Sequence, residues 1–291
     1  MTMSIAITGA TGQLGGLVIQ HLLDKNVPAG QIVAVVRNVE KASALADRGI
    51  DVRVGDYHDP ASLEKAFAGV SKLHFIPSPD AHDEPLRMVQ HAHVIKAARD
   101  AKVEHIVYSG IAFAEEITFG PALLHLATEY AIRTTQIPYT FLRSAFYTEV
   151  FVTPELSASV EQGAIINNTG NGRVNSVSRS DLALASAAVL TGKGHENQTY
   201  NLVSNQPWSF AELAQALSEI SGKPVVHQAV SFEDGKDFLM KTGLPEPVAL
   251  LFSSIYSQIS YGETSKTSDD LEKLIGTQTP LKETVKQVLH G

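Results

Sequence analysis

The chain contains no cysteine. That absence excludes disulfides, thiolate metal sites and a cysteine nucleophile. No stretch approaches the roughly 20 apolar residues that a membrane-spanning helix needs. No basic run interrupts a chain with 23 Lys and Arg against 31 Asp and Glu, a net charge of −8. That balance argues against a nucleic-acid partner and against an anionic membrane surface. The first residues lack a basic segment followed by an apolar signal core, and a strand starts almost at Met3. The expectation is a cytoplasmic protein without a targeting peptide. Internal repeats, low-complexity tracts and a G-x-S-x-G nucleophile elbow are also missing.

What is there begins at once. The 291 residues are 44% apolar, enough for one large α/β domain or one domain with a smaller lobe. Ser4–Gly15 reads SIAITGATGQLG. An apolar run of strand length reaches Gly9, three glycines follow at spacing G-x-x-G-x-x-G, and Leu14, Val18 and Leu22 open a helical pattern. Strand, tight turn and helix in that order suit a pyrophosphate, because glycines admit the ligand to the backbone and the helix start offers free N–H groups. Thr8, Gly9, Ala10, Thr11, Gly12, Gln13 and Leu14 are the cofactor-binding candidates here. The chain predicts a dinucleotide site.

Strands and helices then alternate. Gln31–Val36, Asp51–Val54, Lys72–Ile76, Glu104–Ser109 and Tyr139–Arg143 read as strands. Glu40–Arg48, a helix opened by Asp59 and Pro60, Pro85–Ala101 and Pro121–Gln136 read as helices. This is the pattern of a doubly wound parallel sheet of the Rossmann type. The expected division is 1–150 as dinucleotide-binding domain and 151–291 as a smaller C-terminal α/β lobe, with segments near 173–203 returning to the main sheet. Within the lobe Val152–Glu161 reads as a helix. Ala164–Ile166 and Arg173–Asn175 flank the turn-rich Asn167–Gly172 as a hairpin or loop pair. Ser178–Asp181 and Ser209–Glu212 look like capping boxes, before Leu182–Leu190 and Leu213–Ile220. Thr199–Val203 is a candidate return strand, Val225–Val230 another strand, and Pro280 opens the last helix.

An NAD-binding unit of this type carries Asp or Glu at the end of its second strand. Here that place holds Arg37, beside Asn38 and one turn before Lys41. A guanidinium holds a 2′-phosphate that a carboxylate would repel, so NADPH is expected over NADH. Asp56 is placed either to accept from the adenine amine or to form a turn.

Thr8–Gly15, Val35–Asn38, Gly55–Tyr57 and Leu142–Tyr147 together resemble the NmrA-like branch of the atypical short-chain dehydrogenases, most of all its type-2 NAD(P)H:quinone oxidoreductases. The resemblance spans nearly the whole chain. It implies that loops after strands 4 and 6 line the nicotinamide end, here Pro77, Ser78 and Pro79 and then Arg143, Ser144 and Ala145. It implies NADPH binding and two-electron reduction of a quinone-like small molecule. It also implies an alternative, a non-catalytic NADP(H) sensor of the NmrA type.

Ordinary short-chain dehydrogenases protonate an alkoxide with a Tyr-x-x-x-Lys pair on the helix after strand 5. This chain lacks the pair; Pro121 and His125 stand roughly in its place. A quinone has no need of that acid. Hydride addition leaves a phenolate-type oxyanion whose conjugate acid is near about 10, far weaker as a base than an alkoxide. Neither a flavin nor a metal is expected: His91 and His93 are two apart and do not share a helix face. Phe146 and Tyr147 are candidates for an aromatic wall against the acceptor, or for core packing. His125 and Glu129, four apart, read as a surface or interface pair, with a proton relay as the alternative. Ser109 ends strand 5 and reads as a backbone cap. Arg143 reads as a contact to cofactor phosphate or carboxamide, or as the partner of an acid. An activated carbon–carbon or imine bond is a further acceptor class, and a homo-oligomer is compatible with the sequence.

Overall fold

A computed structural model describes residues 3–80, 83–117 and 122–290. In chain order the elements are β1 (Ile5–Thr8), α1 (Gln13–Asp24), β2 (Ile32–Val36), α2 (Ser43–Ala46), β3 (Asp51–Val54), α3 (Pro60–Ala66), β4 (Lys72–Phe75), α4 (Glu84–Asp100), β5 (His105–Ile111), α5 (Ala122–Thr134) and β6 (Tyr139–Ser144). There follow β7 (Phe146–Tyr147), α6 (Leu156–Gln162), β8 (Ala164–Asn167), β9 (Arg173–Val174), β10 (Ser176–Val177), α7 (Arg179–Thr191), β11 (Gln198–Leu202), β12 (Trp208–Ser209), α8 (Phe210–Ser221), β13 (Val226–Ala229), α9 (Phe232–Lys241), α10 (Glu246–Ser260), α11 (Asp270–Ile275) and α12 (Leu281–His290).

The chain divides into two compact units. The first holds Met1–Ser144, Arg179–Leu202 and Asp270–Gly276. Its seven-stranded sheet has the order β11-β6-β5-β4-β1-β2-β3, parallel throughout. Central strands in such a sheet are covered on both faces and read as unbroken apolar runs. Accordingly Ile5–Thr8 and Ile32–Val36 are buried at every position. α1 packs on α7, while α3, α4 and α5 pack in succession, which clothes the sheet in two helix groups. The order reverses between β1 and β4, and a ligand belongs at the carboxyl ends of the strands beside that reversal.

Local chemistry explains the starts of several helices. Asp59 caps α3 by accepting from the Ala61 N–H at 3.0 Å, with Pro60 in the first helical position. Asp83 caps α4 through the Leu86 N–H. The helix expected over Pro121–Gln136 begins at Ala122 among the described residues, and Pro121 lies outside them.

The second unit holds Ala145–Ser178, Val203–Asp269 and Thr277–Gly291. Phe151, Trp208 and Phe210 form its aromatic centre at 5.4–5.9 Å between ring centroids. Ser209 and Glu212 form the expected capping box of α8. Of the hairpin or loop pair expected across Asn167–Gly172, the hairpin does not form and the loop arrangement stands. β8 pairs in parallel with β13, and β9 pairs antiparallel with β12. The Asn167 side chain is the reason: its Oδ1 accepts from the Thr169 N–H and hydroxyl and lies 2.9 Å from His227 Nε2, which ties the turn to β13 instead.

Candidate dinucleotide and acceptor site

The glycine turn is shaped by its own packing. Gly9 has φ +60, and a Cβ on Gly15 would stand 2.4 Å from the Gly9 carbonyl oxygen. The third glycine therefore lets α1 start against the end of β1. α1 has Gly12 as its N-cap, with no side-chain cap and no acidic residue in its first turn. Its leading N–H groups are left for an outside acceptor. A phosphate fits such a donor set.

A cleft of about 390 Å³ opens over this turn. Gly9, Thr11, Gly12, Gln13, Leu14 and Gly15 line one wall; Val35, Val36 and Arg37 follow from the end of β2, and Gly55–His58 from the end of β3. Ile76–Asp80 after β4, with Gln90, complete it. Every contributing strand offers its carboxyl end. Gly55 permits the close passage there, since a Cβ on it would meet Val35 Cγ1 at 2.4 Å.

Arg37 is exposed at the rim and makes no ion pair among the described residues. Its charge bears on Tyr57 and Asp80, so it faces the cleft. Asn38 is committed locally, accepting from the Glu40 N–H at 2.8 Å. Asp56 Oδ1 accepts from the His58 N–H at 2.9 Å; it forms a turn and lines the cleft at once. An exposed cation at one end and uncapped helix N–H groups in the middle form a donor set that fits a dinucleotide with an extra phosphate.

The loop Ile76–Asp80 is held from beneath. Thr8 Oγ1 accepts from the Ile76 N–H at 2.9 Å and is itself fully buried. Tyr57 donates its hydroxyl proton to the Ile76 carbonyl at 2.6 Å, and burial pushes its phenol pKa up. The Ser78 N–H donates to His91 Nε2 at 3.1 Å. With Nε2 accepting, Nδ1 carries the hydrogen and donates to Thr128 Oγ1 at 2.8 Å, and that hydroxyl donates to the Leu124 carbonyl. Burial, with His125 and Arg87 nearby, lowers the His91 pKa to about 3, so its acceptor nitrogen stays free of a proton.

The remaining expected residues fall elsewhere. Thr8 and Ala10 are buried under the turn, not on the cleft wall. Arg143 takes the second of its two expected roles and pairs with acids. Its guanidinium is gripped by Glu129 at 2.9 and 2.7 Å and by Glu115 at 2.7 and 2.6 Å. Although burial opposes it, those carboxylates raise its pKa above the usual value. Ser144 ends β6 and accepts from the Ala112 N–H. His125 and Glu129 are not a surface pair: both are buried, because the α5 face that carries them turns inward. His125 Nδ1 bonds the Tyr108 hydroxyl at 2.8 Å, and burial lowers its pKa to about 4. Ser109 Oγ lies 3.0 Å from His74 Nε2, a strand-to-strand bond instead of a backbone cap. Ala145, Phe146 and Tyr147 belong to the second unit, where Phe146 packs edge-on against Phe151 at 5.6 Å.

Sequence reasoning missed Tyr57, Gln90 and His91 as supports of the cleft. Their signal was faint. Arg87, Gln90, His91, Val94, Ile95 and Ala98 recur at three- and four-residue spacing and form the buried stripe of α4, but half of that stripe is polar, so it does not read as a core face. His91 cannot serve a metal with His93, since both of its ring nitrogens are engaged.

Comparison with known proteins agrees with this geometry. The model of the NmrA-like family matches residues 1–284. Quinone oxidoreductase 2 of Escherichia coli K12 is 40% identical over 287 residues, 98% of this chain and 99% of that one. The solved triphenylmethane reductase of Citrobacter sp. in complex with NADP(H) is 68% identical, with a TM-score of 0.95 over 98% of this chain and 100% of that one. The NADPH-dependent quinone oxidoreductase of Escherichia coli in complex with NADPH is 41% identical, with a TM-score of 0.90 over 98% and 99%. The chain, with its parallel Rossmann-type sheet and uncapped glycine turn, belongs to the NmrA-like family.

Proposed function

We propose that this chain is an NADPH-dependent reductase that passes hydride directly to a conjugated, electron-poor acceptor, either a quinone or the cationic carbon of a triarylmethane dye. The cleft carries the reading: one wall is an uncapped helix start behind a glycine turn, and its rim holds Arg37, which makes no ion pair among the described residues. Gly9–Leu14 would receive the pyrophosphate, Arg37 the 2′-phosphate, Asp56 the adenine edge, and the Pro77–Pro79 loop the nicotinamide side. A quinone oxidoreductase and a triphenylmethane reductase among the relatives, at 40% and 68% identity, support the acceptor class. They favour a reductase over a sensor.

When bound, the nicotinamide supplies the hydride. The protein's share is to hold the cofactor and the acceptor in register, which by itself accounts for large rate gains. The lack of a Tyr-x-x-x-Lys acid follows from the acceptors. A triarylmethyl cation that gains hydride becomes a neutral triarylmethane, and no proton is required. A quinone that gains hydride needs one proton, which water can deliver to a weakly basic phenolate. The net charge of −8 also favours a cationic dye at long range.

The test is proton counting in weakly buffered solution while NADPH absorbance falls. One proton is expected per quinone reduced and none per dye cation. Tight NADPH binding with turnover of neither acceptor would reject the proposal.

A further inference from the structure

Arg87 lies in the second turn of α4 with only 7% of its surface exposed. Its Nε is buried without a hydrogen-bond partner, and it makes no ion pair among the described residues. A buried charge is ordinarily paired, and a guanidinium cannot escape by shedding its proton. The carboxylates of the neighbouring α5 and of the loop after β5, Glu129 and Glu115, are both committed to Arg143. A buried guanidinium without a carboxylate partner among the described residues is open to an anion that arrives from outside.

Asp83 and Glu84 open the same helix and Glu129 acts on the same tyrosine as Arg87, but among the described residues no carboxylate forms an ion pair with Arg87. Arg87 bears on His91 one turn further along α4, on Tyr108 of β5 and on His125 of α5. Burial first, and then the neighbouring charges, hold the two histidines neutral at about 3 and about 4. Burial likewise keeps the Tyr108 phenol protonated, with Thr128, Glu129, Arg87 and Tyr57 as lesser influences. The position is also informative. α4 follows directly on the cleft loop Ile76–Asp80, and His91, four residues from Arg87 and on the same helix face, holds the Ser78 N–H of that loop. α4 and α5 both start at the carboxyl edge of the sheet, where an acceptor belongs.

We infer that Arg87 is the oxyanion site for a quinone acceptor: it takes the oxygen on which negative charge gathers as hydride arrives. This rests on the reductase reading above. The reduced nicotinamide's C–H bond breaks, its electron pair forms the new bond to hydrogen on the quinone, and the quinone is reduced by two electrons. The oxygen left negative lies against Arg87 until water protonates it. A dye cation generates no such oxygen, so Arg87 selects for quinones and not for dyes.

Two measurements test the assignment. In the first, 4-nitrophenol is bound to the cofactor-free protein and its phenolate absorbance is followed against pH. The bound phenol should ionise about one pH unit or more below the free compound, as expected beside an opposite charge, in the wild type and in Arg87→Lys but not in Arg87→Met. In the second, Arg87→Met should lower the ratio of quinone to cationic-dye turnover at least tenfold, and Arg87→Lys should restore much of it. An unshifted phenol in the wild type, or a ratio that Arg87→Met leaves where it was, overturns the inference. If Arg87→Met does not fold, the wild-type titration and Arg87→Lys decide it. If the wild type reduces neither quinone nor dye, the functional reading fails, and the phenol titration still judges Arg87 separately.

Discussion

Arg143 Nη2 lies 2.7 Å from Glu129 Oε2, and both side chains are at least nine-tenths buried. Glu115, the second partner, is half exposed at 51%. The two carboxylates therefore contribute unequally. Removing a partner from a buried pair leaves a charge without compensation, whereas a half-exposed pair is largely replaced by water. Glu129→Gln should cost about 3 kcal/mol of stability and Glu115→Gln about 1 kcal/mol or less. Urea denaturation of the two variants checks the asymmetry; equal losses would contradict it.

Four buried histidines make the fold sensitive to mild acid. Burial lowers the pKa of His74 and His91 to about 3 and of His105 and His125 to about 4, against about 6.5 in an unfolded chain. Between those limits the unfolded state binds more protons, so stability increases with pH. The contribution is complete above about pH 6.5 and is lost as pH falls through the folded values. The urea midpoint should fall steeply from pH 7 to pH 5. His105→Gln, placed outside the cleft, should flatten that slope by up to one proton; an unchanged slope would refute the account.

Gly15→Ala should damage the cleft and the fold together. Its Cβ would stand 2.4 Å from the Gly9 carbonyl oxygen and 2.9 Å from the Gly9 carbonyl carbon, both backbone atoms with little freedom to give way. Overpacking of this kind costs about 1–3 kcal/mol. A lower melting temperature is expected, with weaker NADPH binding at temperatures where the variant is folded. Gly30→Ala, where a new Cβ meets nothing within 4 Å, is the control.

Arg37→Asp should reverse the cofactor preference. The exposed guanidinium has no partner to lose among the described residues, so the fold should tolerate the change. Charge-assisted hydrogen bonds contribute about 1.5–3 kcal/mol, so NADPH affinity should drop at least tenfold while NADH affinity holds or improves. Fluorescence titration with each cofactor measures this. An unaltered NADPH-to-NADH ratio would show that Arg37 does not read the 2′-phosphate.

His91→Ala should loosen the Pro77–Pro79 loop without touching a ligand. The Ser78 N–H would lose its acceptor, and an unpaired buried donor costs about 1–3 kcal/mol. A raised KM for NADPH with a smaller change in kcat is the expected signature of lost positioning. His91→Gln, which can still accept, should recover part of it.

The local elements were legible along the chain because local chemistry makes them. The alternation of apolar runs with capped helices specified a parallel sheet, and the three glycines with their flanking strand and helix specified a tight turn with an uncapped helix start. The place of Arg37 could be read as well, since it depends only on where β2 ends. The partners of buried polar side chains could not be read. Arg143 meets Glu129 across β6 and α5, His91 meets Ser78 across α4 and a loop, and β8 meets β13 across more than fifty residues of chain. Sequence spacing carries no record of such encounters; they exist only after the helices have chosen which face to bury. The glycine turn was thus determined by the sequence alone. Whether Arg143 binds a ligand or a carboxylate, and whether Arg87 has an anion beside it, was decided by packing, because a charge taken out of water must find its counterpart among whatever the fold brings near.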